Sequence, residues 1–148
     1  MKFDGDEEKI STDEAAARPS VQMLVQHTER IPIATVVNQL RDYPRFLHTY
    51  LHALFKNDPH RGSDFHELQV DLYAEYDYKM LLPFLRQSNY YPLEKAYKVC
   101  ESRGLVPEMV FILGRMGNNK QALNLIIEKL GDVKQVLSSL LLIHARGP

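Results

Sequence analysis

PLEKAYKVCESRGLVPEMVFILGRMGNNKQALNLIIEKLG, residues 92–131, decides the fold class, because it punctuates three helices in succession. Pro92 opens a helix through Leu93, Ala96, Tyr97 and Cys100, apolar or small residues three and four apart. Gly104 is placed to end that helix in the left-handed conformation, and Pro107 opens the next one. The run Met109 to Leu113 could be a buried strand by periodicity alone. Pro107 before it, Gly114 and Met116 after it, and helical neighbours on both sides favour a helix buried on two faces. Gly117 stops that helix, Asn118 with Gln121 forms a cap and its N3 partner, and Ala122 to Leu130 runs on to Gly131.

The same grammar extends in both directions. Asp132 caps a last helix carrying Val133, Val136, Leu137, Leu140 and Leu141. Upstream, Pro44 is the first residue of a helix with Phe46, Leu47, Tyr50, Leu51, Leu54 and Phe55 on one broad face. A loop is expected over Lys56 to Ser63, followed by a helix that Asp64 and Glu67 cap, with Phe65, Leu68, Leu72, Tyr73 and Tyr76 on one side. Pro83 marks a bend or a first turn. Met80, Leu82, Phe84 and Ser88 superpose on Met109, Phe111, Leu113 and Gly117 at a spacing of about 29 residues, within the range of helical repeats. Short helices joined by one- or two-residue caps fold back on their neighbours. The expected fold is therefore all-α, an α-solenoid of antiparallel helical hairpins, with a compact bundle as the alternative architecture. Gly114 and Ala122, small residues on bulky helices, are expected at helix crossings, where a larger residue would overpack.

The chain has 148 residues, 45% hydrophobic and 25% charged, which excludes disorder over its whole length. Its 18 basic and 19 acidic residues leave a formal charge of -1, without the surplus that duplex DNA or an anionic membrane attracts. Residues 1–19 read as an acidic, mostly disordered leader. Its one local signal is Ser11 with Glu14, a capping box ahead of Ala15 to Ala17, with Pro19 as the stop. The solenoid is expected over 20–145, with a tail at 146–148. The leader lacks the basic and apolar regions of a signal peptide, and Val136 to Ile143 falls short of the roughly 20 apolar residues a membrane span needs. A cytoplasmic chain without direct membrane insertion is expected.

The chemical inventory is short. His48, His52, His60 and His66 crowd one hairpin, and two imidazoles at i, i+4 can share a metal, with Asp64 or Glu67 adding an oxygen. The alternative function is thus a metal-dependent enzyme using His48, His52 and His66. Thr49, however, stands where a zincin requires glutamate, and ordinary helix-face histidines are the simpler reading. Cys100 lies on an apolar stripe and reads as a buried, inert thiol, and a single cysteine allows no internal disulfide. Nucleophile elbows, Walker loops and dinucleotide fingerprints are missing. Tyr73, Tyr76, Tyr78, Tyr90, Tyr91 and Tyr97, interleaved with Arg86, Lys95 and Lys98, read as inter-helix packing; near-zero net charge weighs against a stacking platform for nucleic acid. No catalytic residue, cofactor or metal ligand is assigned. A peptide-binding helical-repeat module is a third reading.

Tyr91 to Leu123 closely resembles the clathrin heavy-chain repeat, TPR-like, of the vacuolar protein sorting-associated 41 family, in its plant forms more than its animal ones. Leu72 to Asp77 (LYAEYD) and Leu81 to Arg86 (LLPFLR) resemble blocks of the same family in the same order, and the likeness covers roughly His27 to Val133. The resemblance implies a non-catalytic scaffold. Family members are subunits of the homotypic fusion and vacuole protein sorting (HOPS) tethering complex, which bridges late endosomal or vacuolar membranes before fusion under Rab GTPase control. It implies the complex's other subunits as partners, Rab GTPases indirectly, and peripheral association with the late endosome or vacuole. In the family a β-propeller precedes the repeats and a RING-type zinc domain commonly follows, neither of which is seen in this sequence. Lys134 to Pro148 departs from the family pattern, so a short or truncated form is expected. A final helix without its next repeat would expose Leu137, Leu140 and Leu141 as an interaction patch prone to self-association.

Overall fold

The computed structural model describes residues 10–129. Among them the secondary structure is helical and no strand occurs. The chain groups into two compact units, Met1–Pro92 and Leu93–Pro148.

In the first unit, α1 (Thr12–Ala16) begins at Ser11, whose hydroxyl accepts the Glu14 N–H at 3.1 Å. This is half of the capping box read from Ser11 and Glu14. The helix α1 packs on α4 (Pro44–Asn57) and buries Ala16. Pro19 does more than stop it: it is the first residue of α2 (Pro19–Gln26), where its missing N–H leaves nothing unpaired. Pro32 precedes α3 (Ile33–Gln39), and Pro44 opens α4 at the expected position. Val21, Val25, Val36, Val37, Leu47, Tyr50, Leu51, Leu54 and Leu72 form one buried cluster around α4.

The connection after α4 differs in detail from expectation. Lys56 and Asn57 stay helical, and the Asp58 N–H still donates to the Leu54 carbonyl at 2.8 Å. Asp58 then accepts the His60 N–H, the local turn chemistry of aspartate. Asp64 does not cap the next helix. A 3₁₀ turn over Ser63–Phe65, closed by Phe65 N–H to Gly62 carbonyl at 2.9 Å, leads into α5 (His66–Tyr76), so the first turn is joined to preceding backbone instead of a side chain. Burial on α5 is broader than one stripe: His66, Gln69, Val70, Leu72, Tyr73 and Ala74 are all buried. A second 3₁₀ turn, Tyr78–Met80, precedes α6 (Leu81–Gln87). Pro83 sits in the first turn of α6, where no intrahelical N–H is required.

In the second unit, α7 (Leu93–Ser102), α8 (Val106–Arg115) and α9 (Asn119–Lys129) each pack on the next. Gly104 has φ +66° and Gly117 φ +82°, the left-handed caps that the sequence requires. Leu105 N–H returns to the Cys100 carbonyl at 2.9 Å, and Asn118 N–H to the Leu113 carbonyl at 2.8 Å, completing the two stops. Asn118 Oδ1 accepts the Gln121 N–H at 3.3 Å while its side-chain amide donates to Gln121 Oε1 at 2.7 Å. Met109, Ile112, Leu113 and Ala122 are buried, whereas Val110 and Phe111 are half-buried, so the second face of α8 is only partly covered. Gly114 is a correction. It is exposed, and a Cβ built there meets no heavy atom within 4 Å, so it does not mark a helix crossing. A small residue in a helix shows that close approach is sterically allowed; it does not show which face is approached.

Candidate functional site

The polar chemistry of the first unit lies on α4 and faces α5. His48 and His52, one helical turn apart, are 3% and 2% exposed, with ring centroids 6.2 Å apart. Tyr73 from α5 stands edge-on to both, 4.7 Å from His48 and 5.7 Å from His52. His52 Nδ1 and the Tyr73 hydroxyl are 2.5 Å apart, and His52 Nε2 lies 2.8 Å from Asp13 Oδ1 on α1. A carboxylate only accepts, so Nε2 carries a proton, and Nδ1 is left to pair with the Tyr73 hydroxyl. Lys56 Nζ donates to the same Asp13 oxygen at 2.7 Å. The Lys56 hydrogen bond first, and the His52 one second, hold the Asp13 carboxyl below its ordinary value. Thr12 adds a hydroxyl hydrogen bond to Asp77 at 2.6 Å. These contacts fasten α1 to residues 39 to 65 positions away.

His48 is treated differently. Neither ring nitrogen has a hydrogen-bond partner among the described residues. Burial first, and the neighbouring His52 second, hold its imidazole down to about 3, so it is neutral. It lines a cleft of about 200 Å³ beside Arg18, Arg45, Phe46 and Tyr76.

His66 belongs to another layer. Its Nδ1 is 2.6 Å from the Ser88 hydroxyl, and its ring packs against Phe55 and Phe84 at 5.3 and 5.2 Å. Burial pushes its imidazole pKa down. His60, in the exposed loop, pairs with the Tyr90 hydroxyl at 3.1 Å. The histidines that are adjacent in sequence are thus divided among separate partners. Among the described residues no group of three His, Cys, Asp or Glu side chains converges as a metal would require, and the enzyme reading on His48, His52 and His66 gains no support.

The remaining sequence candidates are also placed. Cys100 is fully buried, and burial, then Glu108, pushes its thiol up to about 12, which makes it a poor nucleophile. Tyr73 and Tyr91 are buried, the latter donating to the Leu85 carbonyl at 2.7 Å, while Tyr78 and Tyr90 are exposed. Leu137, Leu140 and Leu141 lie outside the described residues. On α9, Leu123 and Ile127 are 57% and 41% exposed, an apolar pair that the periodicity alone did not single out. Sequence reasoning also missed Asp13 as the partner of His52, since a contact across 39 residues leaves no local signature. Among the described residues no helix is long and apolar enough to cross a membrane.

A vacuolar protein sorting-associated protein 41 homolog of Solanum lycopersicum is 52% identical over 124 residues, covering 80% of this chain and 13% of that protein. The Homo sapiens homolog is 49% identical over 118 residues, covering 80% and 14%. The Arabidopsis thaliana homolog is 43% identical over 163 residues, covering 93% and 17%. The chain therefore spans only a small part of the length of these curated relatives. No solved structure matches it. A family model described as the Vps41 TPR-like region matches residues 7–140, nearly the whole chain, and the chain belongs to that family.

Proposed function

We propose that this chain is a non-catalytic protein-protein scaffold of the HOPS tethering complex, acting in vesicle-mediated protein transport to the vacuole and in vacuole fusion. The match to the Vps41 TPR-like region over residues 7–140 carries this reading. Helical hairpins supply extended faces for partner subunits, and affinity comes from apolar anchors and from multivalency once several subunits assemble. The partners are the other subunits of the complex, with Rab GTPases engaged indirectly. The chain is cytoplasmic and reaches the late endosome or vacuole membrane through those partners. Leu137, Leu140 and Leu141 form its apolar contact patch and drive self-association when that patch is uncovered.

Affinity purification of the tagged chain from cells, beside a full-length relative, tests the proposal. Tethering-complex subunits should co-purify with both. Their recovery with the full-length protein alone would overturn the scaffold role for this chain.

A further inference from the structure

The helix α1 is held on α4 through a seat for one carboxylate. Asp13 Oδ1 lies 2.8 Å from His52 Nε2 and 2.7 Å from Lys56 Nζ, two donors one helical turn apart. The remaining anchors of α1 are few: the Thr12 hydroxyl on Asp77, and Ala16, its one buried residue. Five residues are too few for a helix to persist without such anchors. The Lys56 and Asp13 side chains are 55% and 51% exposed, so the seat opens to solvent and a second carboxylate can reach it.

The same His52 and Lys56 line a cleft of about 200 Å³ walled by Phe55, Met80, Pro83 and Phe84. No described residue of α1 lines that cleft, and the apolar residues of α1 are alanines. The charged half of this surface is thus occupied by Asp13, while the apolar half beside it has no side chain from α1.

We propose that α1 is an autoinhibitory strap over a peptide-binding surface: a partner segment with an aspartate next to a leucine-sized apolar residue displaces Asp13, its carboxylate taking the His52 and Lys56 donors and its apolar side chain entering the cleft. The sign of the ligand is that of the group now seated there. Such a ligand gains apolar burial that α1 lacks, whereas α1 gains from being tethered, which keeps the surface closed to weak ligands. The strap operates whether or not the partner belongs to a tethering complex, so its test and the co-purification succeed or fail independently.

The test is amide NMR of the ¹⁵N-labelled full chain titrated with N-acetyl-Asp-Leu-amide and its Asn-Leu and Asp-Ala counterparts. The variant carrying Thr12→Ala and Asp13→Ala, which removes both polar anchors of α1 and leaves Ala16, should bind the Asp-Leu peptide with a dissociation constant of about 1 mM. The wild type should bind it about tenfold more weakly, because α1 must first leave the seat, and at saturation its Thr12–Ala16 amides should move toward unfolded positions. Adding Lys56→Gln, at an exposed position, to the double variant should weaken binding about tenfold. Equal affinity of wild type and double variant, or binding to the wild type with the α1 amides unmoved, would overturn the strap. Equal binding of the Asn-Leu peptide would overturn the carboxylate seat, and equal binding of the Asp-Ala peptide the role of the cleft. No shift in either protein with any peptide would overturn the surface itself.

Discussion

Replacing Tyr73 by Phe removes one oxygen and leaves the ring in its edge-on contacts with His48 and His52. The oxygen is the partner of His52 Nδ1 at 2.5 Å, and both residues are within 2% of full burial. With His52 Nε2 committed to Asp13, Nδ1 in the variant loses its one hydrogen-bond partner. An orphaned buried acceptor costs about 1–3 kcal/mol, whereas the small apolar gain of Phe over Tyr offsets only part of that. Urea denaturation followed by circular dichroism should give a midpoint lowered accordingly, with the slope unchanged. A double-mutant cycle with His52→Leu sharpens the test. Once the tyrosine hydroxyl is gone, losing the imidazole should be cheaper by about 1–2 kcal/mol than in the wild type. A Tyr73→Phe effect below about 0.5 kcal/mol, together with an additive cycle, would refute the claim that this pair is satisfied in the folded state.

Three further outcomes are expected. Because the Asp13 carboxyl is held below its ordinary value of 3.8, its contribution is present above that pH and is lost as the pH falls below it. Asp13 is half exposed, so the gap between wild type and Asp13→Asn should stay under about 1 kcal/mol at neutral pH and close in acid, as measured by thermal melts across pH. His48 has its ordinary value of 6.5 lowered to about 3 by burial, so the unfolded chain takes up a proton that the folded one refuses. Stability should fall by about 1.4 kcal/mol per pH unit through that window relative to His48→Leu, and parallel curves for the two proteins would exclude a neutral buried ring. The two glycines near α8 should respond with opposite sign in denaturant titrations. Gly104→Ala, at φ +66°, should cost about 1 kcal/mol. Gly114→Ala, helical and facing open space, should stabilise by up to about 1 kcal/mol.

What could be read from sequence follows the range of each interaction. Gly104, Gly117 and the Asn118–Gln121 pair were legible because cap geometry is closed within five residues. Pro44 and Pro83 were legible because proline constrains its own turn. Asp64 was misread: aspartate followed by glutamate three residues on is a capping pattern, but the preceding Gly62 carbonyl closed a 3₁₀ turn first. Gly114 was misread because composition does not reveal which face a helix buries. The histidine spacing correctly showed His48 and His52 on one side of a helix. It could not show that Asp13 and Tyr73, 39 residues before and 21 after, take up the second ring and leave the first with none.

That division of labour bears on what a scaffold segment needs. An apolar seam between two helices can slide by a turn at modest cost, since one Leu packs about as well as the next. His52 has its hydroxyl and its carboxylate in one register only: shifting α5 against α4 by a turn removes Tyr73 from Nδ1, and shifting α1 removes Asp13 from Nε2. Each slip strands a buried polar group and costs about 1–3 kcal/mol. The layer therefore fixes where α1 and α5 sit on α4 more than it adds to net stability. Under the scaffold role proposed above, a fixed register is the property that binding would use.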